Sequence, residues 1–548
     1  MKKFWIYLAM PVALLNGCQR QQAALDNAGS LAAGSGEESA AAEGEMTDSS
    51  REISMESKED ETESSTQETA EPALPTVLSS QEEIWDDSAL QGNAGKPASV
   101  IASQNSIKEA VFDGSTVSIA RSEKQEASQI TEAEIEAMVR EAAWDLDTVV
   151  KNGQTVVLKP NLVQMIVDST GEKLEREVNG VTTDWRVAKA VLKMVRELNP
   201  DGKVYIMEGS ATGPTRDVME YFHYTDEYLE DVDGFICLEE DCGAWQDFDA
   251  EEVVKVELPD GLLHKSYYFN KVLYEADVII SIPALKTSSG VVVTGGIKNV
   301  SIGTPPGNLY GTGPKTPSKQ KMVSHKITDG ELDKWIYDYY KAKPVSYVIV
   351  DGLQGFQSGP VPMSAERKET DKMNMRMVLA GKDAVAVDTV CCLLMGWDPE
   401  SVGYLNLFRE RDGLGDTASI RLKGAFMDDI RTHFTIYKEN LGGKPVTEHM
   451  GPEFSGNAVT DGDSMVIRYK AGEGTKKVEV YIDGIFQTAQ KVEEGEERGT
   501  IRLTMPGLHL AEHKVSVAAF DRFFNRTVKG GLEGNLEEDN FMGGEEFP

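Results

Sequence analysis

Positive charge is scarce in this 548-residue chain: 55 Lys and Arg stand against 91 Asp and Glu, for a formal net charge of −36. So acidic a chain is repelled by a phosphate backbone, which argues against nucleic acid as a partner. Cysteine is scarcer still. There are five, with no Cys-x-x-Cys pair, so zinc-ribbon, thioredoxin and iron–sulfur readings lose their usual support and no iron–sulfur cluster is expected. Apart from an N-terminal run, no segment is apolar enough to cross a membrane. The loop Glu208–Arg216 lacks the glycine spacing of the dinucleotide and P-loop fingerprints, so it is not read as a nucleotide site.

The most telling absence is local. Between Asp277 and Asp329 there is no acidic residue, yet the stretch carries Lys286, Lys298, Lys315, Lys319, Lys321, Lys326 and His325. Gly290, Gly295, Gly296, Gly303, Gly307, Gly311 and Gly313 lie among them. A basic, glycine-rich island in an acidic chain creates a local positive potential that backbone amides can share, which suits phosphate, carboxylate or sulfonate groups. The bland alternative is a surface loop kept soluble by its lysines.

Lys2 and Lys3 precede an apolar run, Phe4–Leu15, too short to span a bilayer as a mature helix. The run ends in Leu15-Asn16-Gly17-Cys18, which resembles the bacterial lipoprotein box. The resemblance implies a signal peptide over 1–17 and lipid on Cys18. The protein is then anchored to the bacterial cell membrane on its extracytoplasmic face. An ordinary secretory signal is the competing reading. Residues 18–98 are rich in Ala, Ser, Glu, Gly and Thr and almost free of large apolar side chains, and are expected to form a disordered, self-repelling tether. The location disfavours kinase and dehydrogenase chemistry, because ATP and nicotinamide cofactors are scarce there. Cys237 and Cys242 are close enough in sequence to form a small disulfide loop, which export permits. Cys391 and Cys392 sit in an apolar helix-like run where buried thiols are the commoner outcome.

From about Val117 to Thr435, short apolar runs alternate with longer amphipathic ones. Thr155–Leu158, Lys203–Met207, Ala276–Ile282, Ser346–Val350 and Met375–Leu379 read as buried strands. Glu132–Leu146, Thr183–Leu198, Gly330–Tyr340 and Ala384–Met395 read as helices, the first with a Thr131–Glu134 capping box. This alternation predicts an α/β domain over 99–440 with a mostly parallel sheet and flanking helices. Ligands of such sheets sit beyond the strand C-termini. Lys159 and Asn161, Lys286, Lys298 and Asp351 all follow strands, so the three lysines are expected to converge on one crevice with Asp351 opposite.

Four motifs there are distinctive: Lys159-Pro160-Asn161-Leu162, Ser281-Ile282-Pro283-Ala284-Leu285-Lys286-Thr287, Thr294-Gly295-Gly296-Ile297-Lys298-Asn299 with Gly303, and Ala380-Gly381-Lys382-Asp383-Ala384-Val385-Ala386-Val387-Asp388. In this order they resemble the domain-of-unknown-function 362 family over roughly Val117–Leu414. The resemblance implies an α/β domain without fixing a reaction. Members often have His after the Lys-Thr pair, where this chain has Ser288, and many carry a ferredoxin-type cysteine cluster that is missing here. The Thr-Gly-Gly-x-Lys element is also faintly similar to a glycine–lysine element of nickel-pincer lactate racemases.

Lys286 and Lys298 are read as anion contacts, with Lys159, Asn161, Thr294 and Asn299 as further ligand-binding candidates. Lys159 equally suits a salt bridge, and Thr294 or Asn299 a helix cap. Asp351 and His325 are the candidate acid–base groups. Asp351 and Asp388 are the candidate ligands for a divalent metal, and a buried Asp388 would need a partner such as one of the lysines. Asp383 is read as a helix N-cap.

From about Ser464 the texture changes to short alternating strands, Met465–Tyr469, Val478–Ile482, Thr500–Met505 and His513–Phe520, with turns at Asp483-Gly484 and Pro506-Gly507. Val478-Glu479-Val480-Tyr481-Ile482-Asp483-Gly484, Gly507-Leu508-His509 and Val515-Ser516-Val517-Ala518-Ala519-Phe520-Asp521 with Asn525 resemble bacterial immunoglobulin-like modules. They imply a small β-sandwich over 455–530, followed by a disordered tail over 531–548. The functional expectation is a cell-surface lipoprotein enzyme acting on or through an anionic small molecule. The alternative is a non-catalytic binding or adhesion protein for an anionic ligand or cell-envelope polymer.

Overall fold

The computed structural model describes residues 107–167, 171–211, 214–238, 240–244, 247–248, 251–310, 330–437, 442–447 and 450–530. Cys18, His325, the N-terminal apolar run, the acidic tether and the C-terminal tail therefore lie outside the described residues. No helix among the described residues is long and apolar enough to cross a membrane.

The central sheet is built from β1 (Ser115–Arg121), β2 (Thr155–Lys159), β3 (Lys203–Glu208), β4 (Gly234–Cys237), β5 (Val278–Ser281), β8 (Tyr347–Phe356), β9 (Met377–Gly381) and β10 (Ile420–Lys423). Two short strands, β6 (Ala284–Ser288) and β7 (Val292–Thr294), branch off β8. The order across the sheet is β10-β1-β9-β8-β5-β2-β3-β4. The run β8-β5-β2-β3-β4 is parallel, as is β10-β1, but β9 is antiparallel to both β1 and β8. The sheet is therefore mixed but mostly parallel, as expected, with β9 the antiparallel exception. Once the chain returns along β9, a short antiparallel strand fills the centre without needing a crossover helix.

The strands are buried on both faces, which explains their near-continuous Val and Ile runs. Val156, Leu158, Val204, Ile206, Val278 and Ile280 face one core with α1 (Glu132–Ala142) and α2 (Trp185–Leu198). Val157, Met207, Ile279, Val348 and Val350 face the other, with α3 (Gly296–Gly303), α4 (Glu331–Ala342), α5 (Ala384–Leu394) and α6 (Gly403–Asp412). The Thr131–Glu134 capping box starts α1, and Asp383 caps α5 through the amides of Val385 and Ala386. Cys237 and Cys242 are buried but not bonded to each other. The Cys237 sulfur lies 3.7 Å from Met219 Sδ, and Cys242 accepts from Asn270 Nδ2 at 3.6 Å.

The C-terminal region adds two antiparallel sheets. One contains β11 (Phe454–Asp461), β12 (Ser464–Ala471) and β15 (Arg498–Thr504). The other contains β13 (Thr475–Ile482), β14 (Ile485–Lys491), β16 (Val515–Asp521) and β17 (Arg526–Gly530). Met465, Ile467, Val478, Val480, Val517 and Ala519 join them in one core. The other face of the four-stranded sheet is also covered: Tyr481, Phe486, Ala518 and Phe520 pack into the α/β core, with Phe426 against Tyr481 and Phe520. Both faces of β13 are thus buried.

Candidate functional site

The C-terminal ends of β2, β3 and β5 gather a buried polar network. Lys159, at the end of β2, is fully enclosed, and its Nζ donates to Glu208 Oε1 at 2.7 Å and to the Pro160 carbonyl at 2.6 Å. Glu208, at the end of β3, accepts from the Gly209 amide at 2.7 Å with the same oxygen and from the Leu162 amide at 2.6 Å with the other. Of the two readings for Lys159, the salt bridge is the one present. Gly303 is what lets α3 lie over this pair, since a Cβ there would sit 2.6 Å from Lys159 Nζ.

Asn161 and Asn299 link the lysines. Asn161 Nδ2 donates to Asn299 Oδ1 at 2.8 Å, and Asn299 Nδ2 donates to the Lys159 carbonyl at 3.0 Å and to Ser281 Oγ at 3.1 Å. Lys286, on β6 and fully buried, donates to Asn161 Oδ1 at 2.6 Å and to the Val181 carbonyl. Burial, then the charges of Lys298 and Lys159, pull the Lys286 amine well below the usual lysine range, and Glu208 opposes this. Lys298, on the first turn of α3, is only half-buried, and burial holds its amine down to about 8. Its hydrogen bond is to Thr294 Oγ1 at 3.2 Å. Lys159 and Lys286 are thus joined through Asn161 and Asn299, while Lys298 acts on Lys286 through its charge and is held by Thr294.

Asp351 does not face the lysines. A strap, residues 178–184, lies between. The Val181 carbonyl takes Lys286, the Thr183 hydroxyl accepts the Asn161 amide at 2.8 Å, and the Asp184 amide donates to Asp351 Oδ2 at 2.7 Å. Gly180 crosses β8 at φ +75°, where a Cβ would meet the Gly355 carbonyl at 2.6 Å. Burial and the neighbouring Asp184 carboxylate raise Asp351 to about 7, although the amides of Asp184 and Leu353 oppose this. Asp184 caps α2 and pairs with Arg186 at 2.8 Å. Asn179-Gly180-Val181-Thr182-Thr183-Asp184, a small polar run before a helix, is the sequence signal for this strap, and it was missed as part of the site. Glu208 was missed too, because nothing local marks it as the partner of a lysine 49 residues earlier.

Asp388 stands apart from both groups. From α5 its Oδ1 accepts the Gly296 amide at 2.6 Å and its Oδ2 accepts the Ile297 amide at 3.2 Å and the Tyr404 hydroxyl at 2.9 Å. Its partners are therefore a helix N-terminus and a phenol, where a lysine was expected, and they also relieve Thr294 and Asn299 of a capping role. Burial raises the Asp388 carboxyl to about 7. Among the described residues no three His, Cys, Asp or Glu side chains are grouped to hold a metal, and Asp351 and Asp388 are engaged by different elements. Two cavities of about 490 and 230 Å³ lie elsewhere, one beside Arg176, His223 and Tyr228, the other beside Asp398, Lys476 and Arg522.

An α/β domain whose strand ends carry a lysine–asparagine network is the class that this geometry defines. Residues 156–393, which contain the whole network, match the Domain of unknown function (DUF362). The thylakoid-associated protein sll1697 of Synechocystis sp. (strain ATCC 27184 / PCC 6803 / Kazusa) is 27% identical over 307 residues, 56% of this chain and 81% of that protein. Solved structures are far more distant. Catalytically inactive OgpA from Akkermansia muciniphila, in complex with an O-glycopeptide, has a TM-score of 0.13 and 10% identity, over 47% of this chain and 65% of its own. A β-glucosidase from Listeria innocua has a TM-score of 0.14 and 10% identity, over 74% of this chain and 50% of its own. This chain thus spans less than two thirds of either solved chain, and at such scores the likeness carries no argument.

Proposed function

We propose that this protein is an enzyme acting on or through an anionic small molecule held beside Lys298 and Lys286. One observation carries the reading: three lysine amines, those of Lys159, Lys286 and Lys298, meet at the strand ends, and the ion pair at this network is the one Glu208 makes with Lys159. Burial weakens proton binding at Lys286 and Lys298, and a bound anion would favour their charged forms. The depressed amines suit chemistry near neutral pH. Asp351, behind the strap, is the acid–base candidate for that chemistry and a candidate metal ligand; His325 belongs to the same basic island.

The test is thermal unfolding of the full chain with phosphate, pyrophosphate and citrate, beside Lys298→Ala. A ligand at 100 times its Kd adds about 2.7 kcal/mol. Stabilisation of the native chain that Lys298→Ala abolishes is expected. No stabilisation by any anion, or equal stabilisation of the variant, removes the site.

The second reading, non-catalytic capture of an anionic ligand or envelope polymer, is favoured by one feature: Asp351 is held by two backbone amides on the far side of the strap from the lysines. The two C-terminal sheets, read as an immunoglobulin-like module, would then contribute adhesion. In either case the N-terminal box supports a lipoprotein anchored through Cys18 to the extracytoplasmic face of a bacterial membrane. Cys18→Ser is expected to move the protein from the membrane fraction to the soluble one.

A further inference from the structure

The two cavities differ in what surrounds them. Around the smaller one most charges are paired with each other: Arg522 holds Asp398 at 2.9 Å and Glu400 at 3.0 Å, and Lys491 holds Asp416 at 3.2 Å. Around the larger one, of about 490 Å³, they are not. Arg176, Glu220, Asp226 and Glu227 line it, and none of them makes an ion pair among the described residues. Part of its wall is aromatic. His223 and Tyr228 face the cavity with ring centroids 4.1 Å apart, and buried Trp185 packs against them at 6.0 and 5.1 Å. His223 stands just past the short helix Thr215–Tyr221 at φ +66°, a left-handed position that glycine usually fills. A side chain held there against the backbone preference points to a role for its ring. Burial, then the Arg176 charge, keeps the imidazole below its usual range, so at neutral pH the ring is uncharged, with one donor and one acceptor nitrogen.

We propose that this cavity binds a neutral pyranose saccharide, one sugar ring lying against Tyr228 and His223 and its hydroxyls shared between Arg176 and the carboxylates of Glu220 and Glu227. The lining selects this class. Three carboxylates repel an anion, and the Arg176 guanidinium repels a cation. A neutral, hydroxyl-rich ligand suits every group: its hydroxyls donate to the carboxylates and accept from the guanidinium, while a C–H face packs on the aromatic wall. The volume lies within the range of about 300–1,000 Å³ usual for small-molecule sites. The cavity is separate from the lysine–asparagine network and does not rest on the anionic-ligand reading. Arg176 precedes the strap 178–184 and Trp185 follows it, so a sugar bound there lies beside the segment whose Val181 carbonyl takes Lys286.

The test is saturation-transfer difference NMR on the full chain. The sugar probes are methyl β-glucoside, methyl β-galactoside, N-acetylglucosamine and maltose, with choline and citrate as charged probes. Transfer to the ring C–H protons of at least one sugar is expected. Tyr228→Ala should weaken that sugar about tenfold, the worth of one aromatic contact. Tyr228 also packs on Trp185, so variants at exposed positions stand beside it. Arg176→Ala and Glu227→Gln should each weaken binding about fivefold, for one lost hydrogen bond, at an unchanged melting temperature. His223→Asn, which tolerates the same left-handed backbone, should also keep its melting temperature and lose affinity. Lys298→Ala should bind the sugar as the native chain does, which distinguishes this cavity from the anion site. No transfer to any sugar overturns the proposal. So does transfer that the Arg176, His223 and Glu227 variants leave unchanged, or transfer to choline or citrate that these variants abolish.

Discussion

Asp388 caps a helix to which it does not belong: its Oδ1 accepts the Gly296 amide at 2.6 Å, so a side chain of α5 fixes the first turn of α3, two residues before Lys298. Gly295 makes this possible, since a Cβ there would lie 2.1 Å from the same oxygen. Asp333 of α4 is set in the same way against α6, where a Cβ on Gly403 would lie 2.4 Å from its carboxylate. The orientation of Lys298 is thus inherited from a carboxylate 90 residues away in sequence.

Gly295→Ala should therefore expel Asp388. Overpacking alone costs about 1–3 kcal/mol, and the uncapped amides add to this. Urea unfolding measures the loss. A variant as stable as the native chain would mean that Asp388 does not hold α3.

The same carboxyls predict a pH dependence. Asp388 and Asp351 are raised to about 7 and Asp333 to about 6, all from 3.8. A group that binds its proton more tightly in the folded state contributes stability in full below 3.8 and loses it as pH rises through the folded value. Glu175 and Asp233 are lowered to about 2 from 4.5 and 3.8, so their contribution is full above those values and is lost as pH falls towards 2. Between pH 5 and 7.5 the raised carboxyls make stability decline, against the opposite pull of His223, whose imidazole is held below 6.5 by burial. Asp388→Asn should flatten that decline, as followed by denaturant midpoints at each pH. A slope unchanged in Asp388→Asn would exclude Asp388 as a source.

The Lys159–Glu208 pair predicts strong non-additivity. Lys159→Met leaves a buried carboxylate and Glu208→Leu leaves a buried ammonium. Each should cost about 3–5 kcal/mol, whereas Lys159→Met with Glu208→Leu should cost clearly less than the sum. Additive losses in a double-mutant cycle would show that the two side chains do not support each other.

Much of this was legible in the sequence, for reasons that also explain the gaps. Val156–Leu158 and Val278–Ile280 are buried on both faces, so continuous apolar runs marked them as strands. β10, Ile-Arg-Leu-Lys, is a short edge strand with an alternating pattern, and it left no such mark. In the C-terminal sheets, β11, β14 and β17 were missed because Gly, Asn, Gln and Thr interrupt their pattern and their order comes from pairing with β12, β13 and β16. Lys286 and Lys298 stood out through a regional lack of acid. The strap did not, because Thr183 and Asp184 are satisfied by Asn161 and Asp351, contacts that exist only once the sheet has formed. The docking of β13 on the α/β core was likewise invisible, although its uninterrupted burial from Lys477 to Ile482 is a trace of it.

That docking predicts one cooperative unit. Phe426 lies against Tyr481 and Phe520, with the Arg526 guanidinium 4.0 Å from its ring. Phe426→Ala should cost about 3–5 kcal/mol and lower a single calorimetric transition shared by both parts. Two resolved transitions in the native chain would show that the C-terminal sheets fold on their own.

Anion binding beside Lys298 should itself depend on pH, in the direction opposite to that of the carboxyls. The amine attracts an anion only while protonated, and its value of about 8 lies below the 10.5 of a solvated lysine. Affinity for pyrophosphate or citrate should therefore be full below about pH 7 and fall as pH rises through about 8, while ordinary surface lysines remain charged to above pH 10. Binding carried by those surface lysines would be flat over this range and would weaken steeply with salt. Titration calorimetry at pH 6.5 and 9, each at two ionic strengths, separates the two cases. A drop in affinity at pH 9 that is lost in Lys298→Arg assigns the titrating group to Lys298; a drop that persists in the variant assigns it elsewhere.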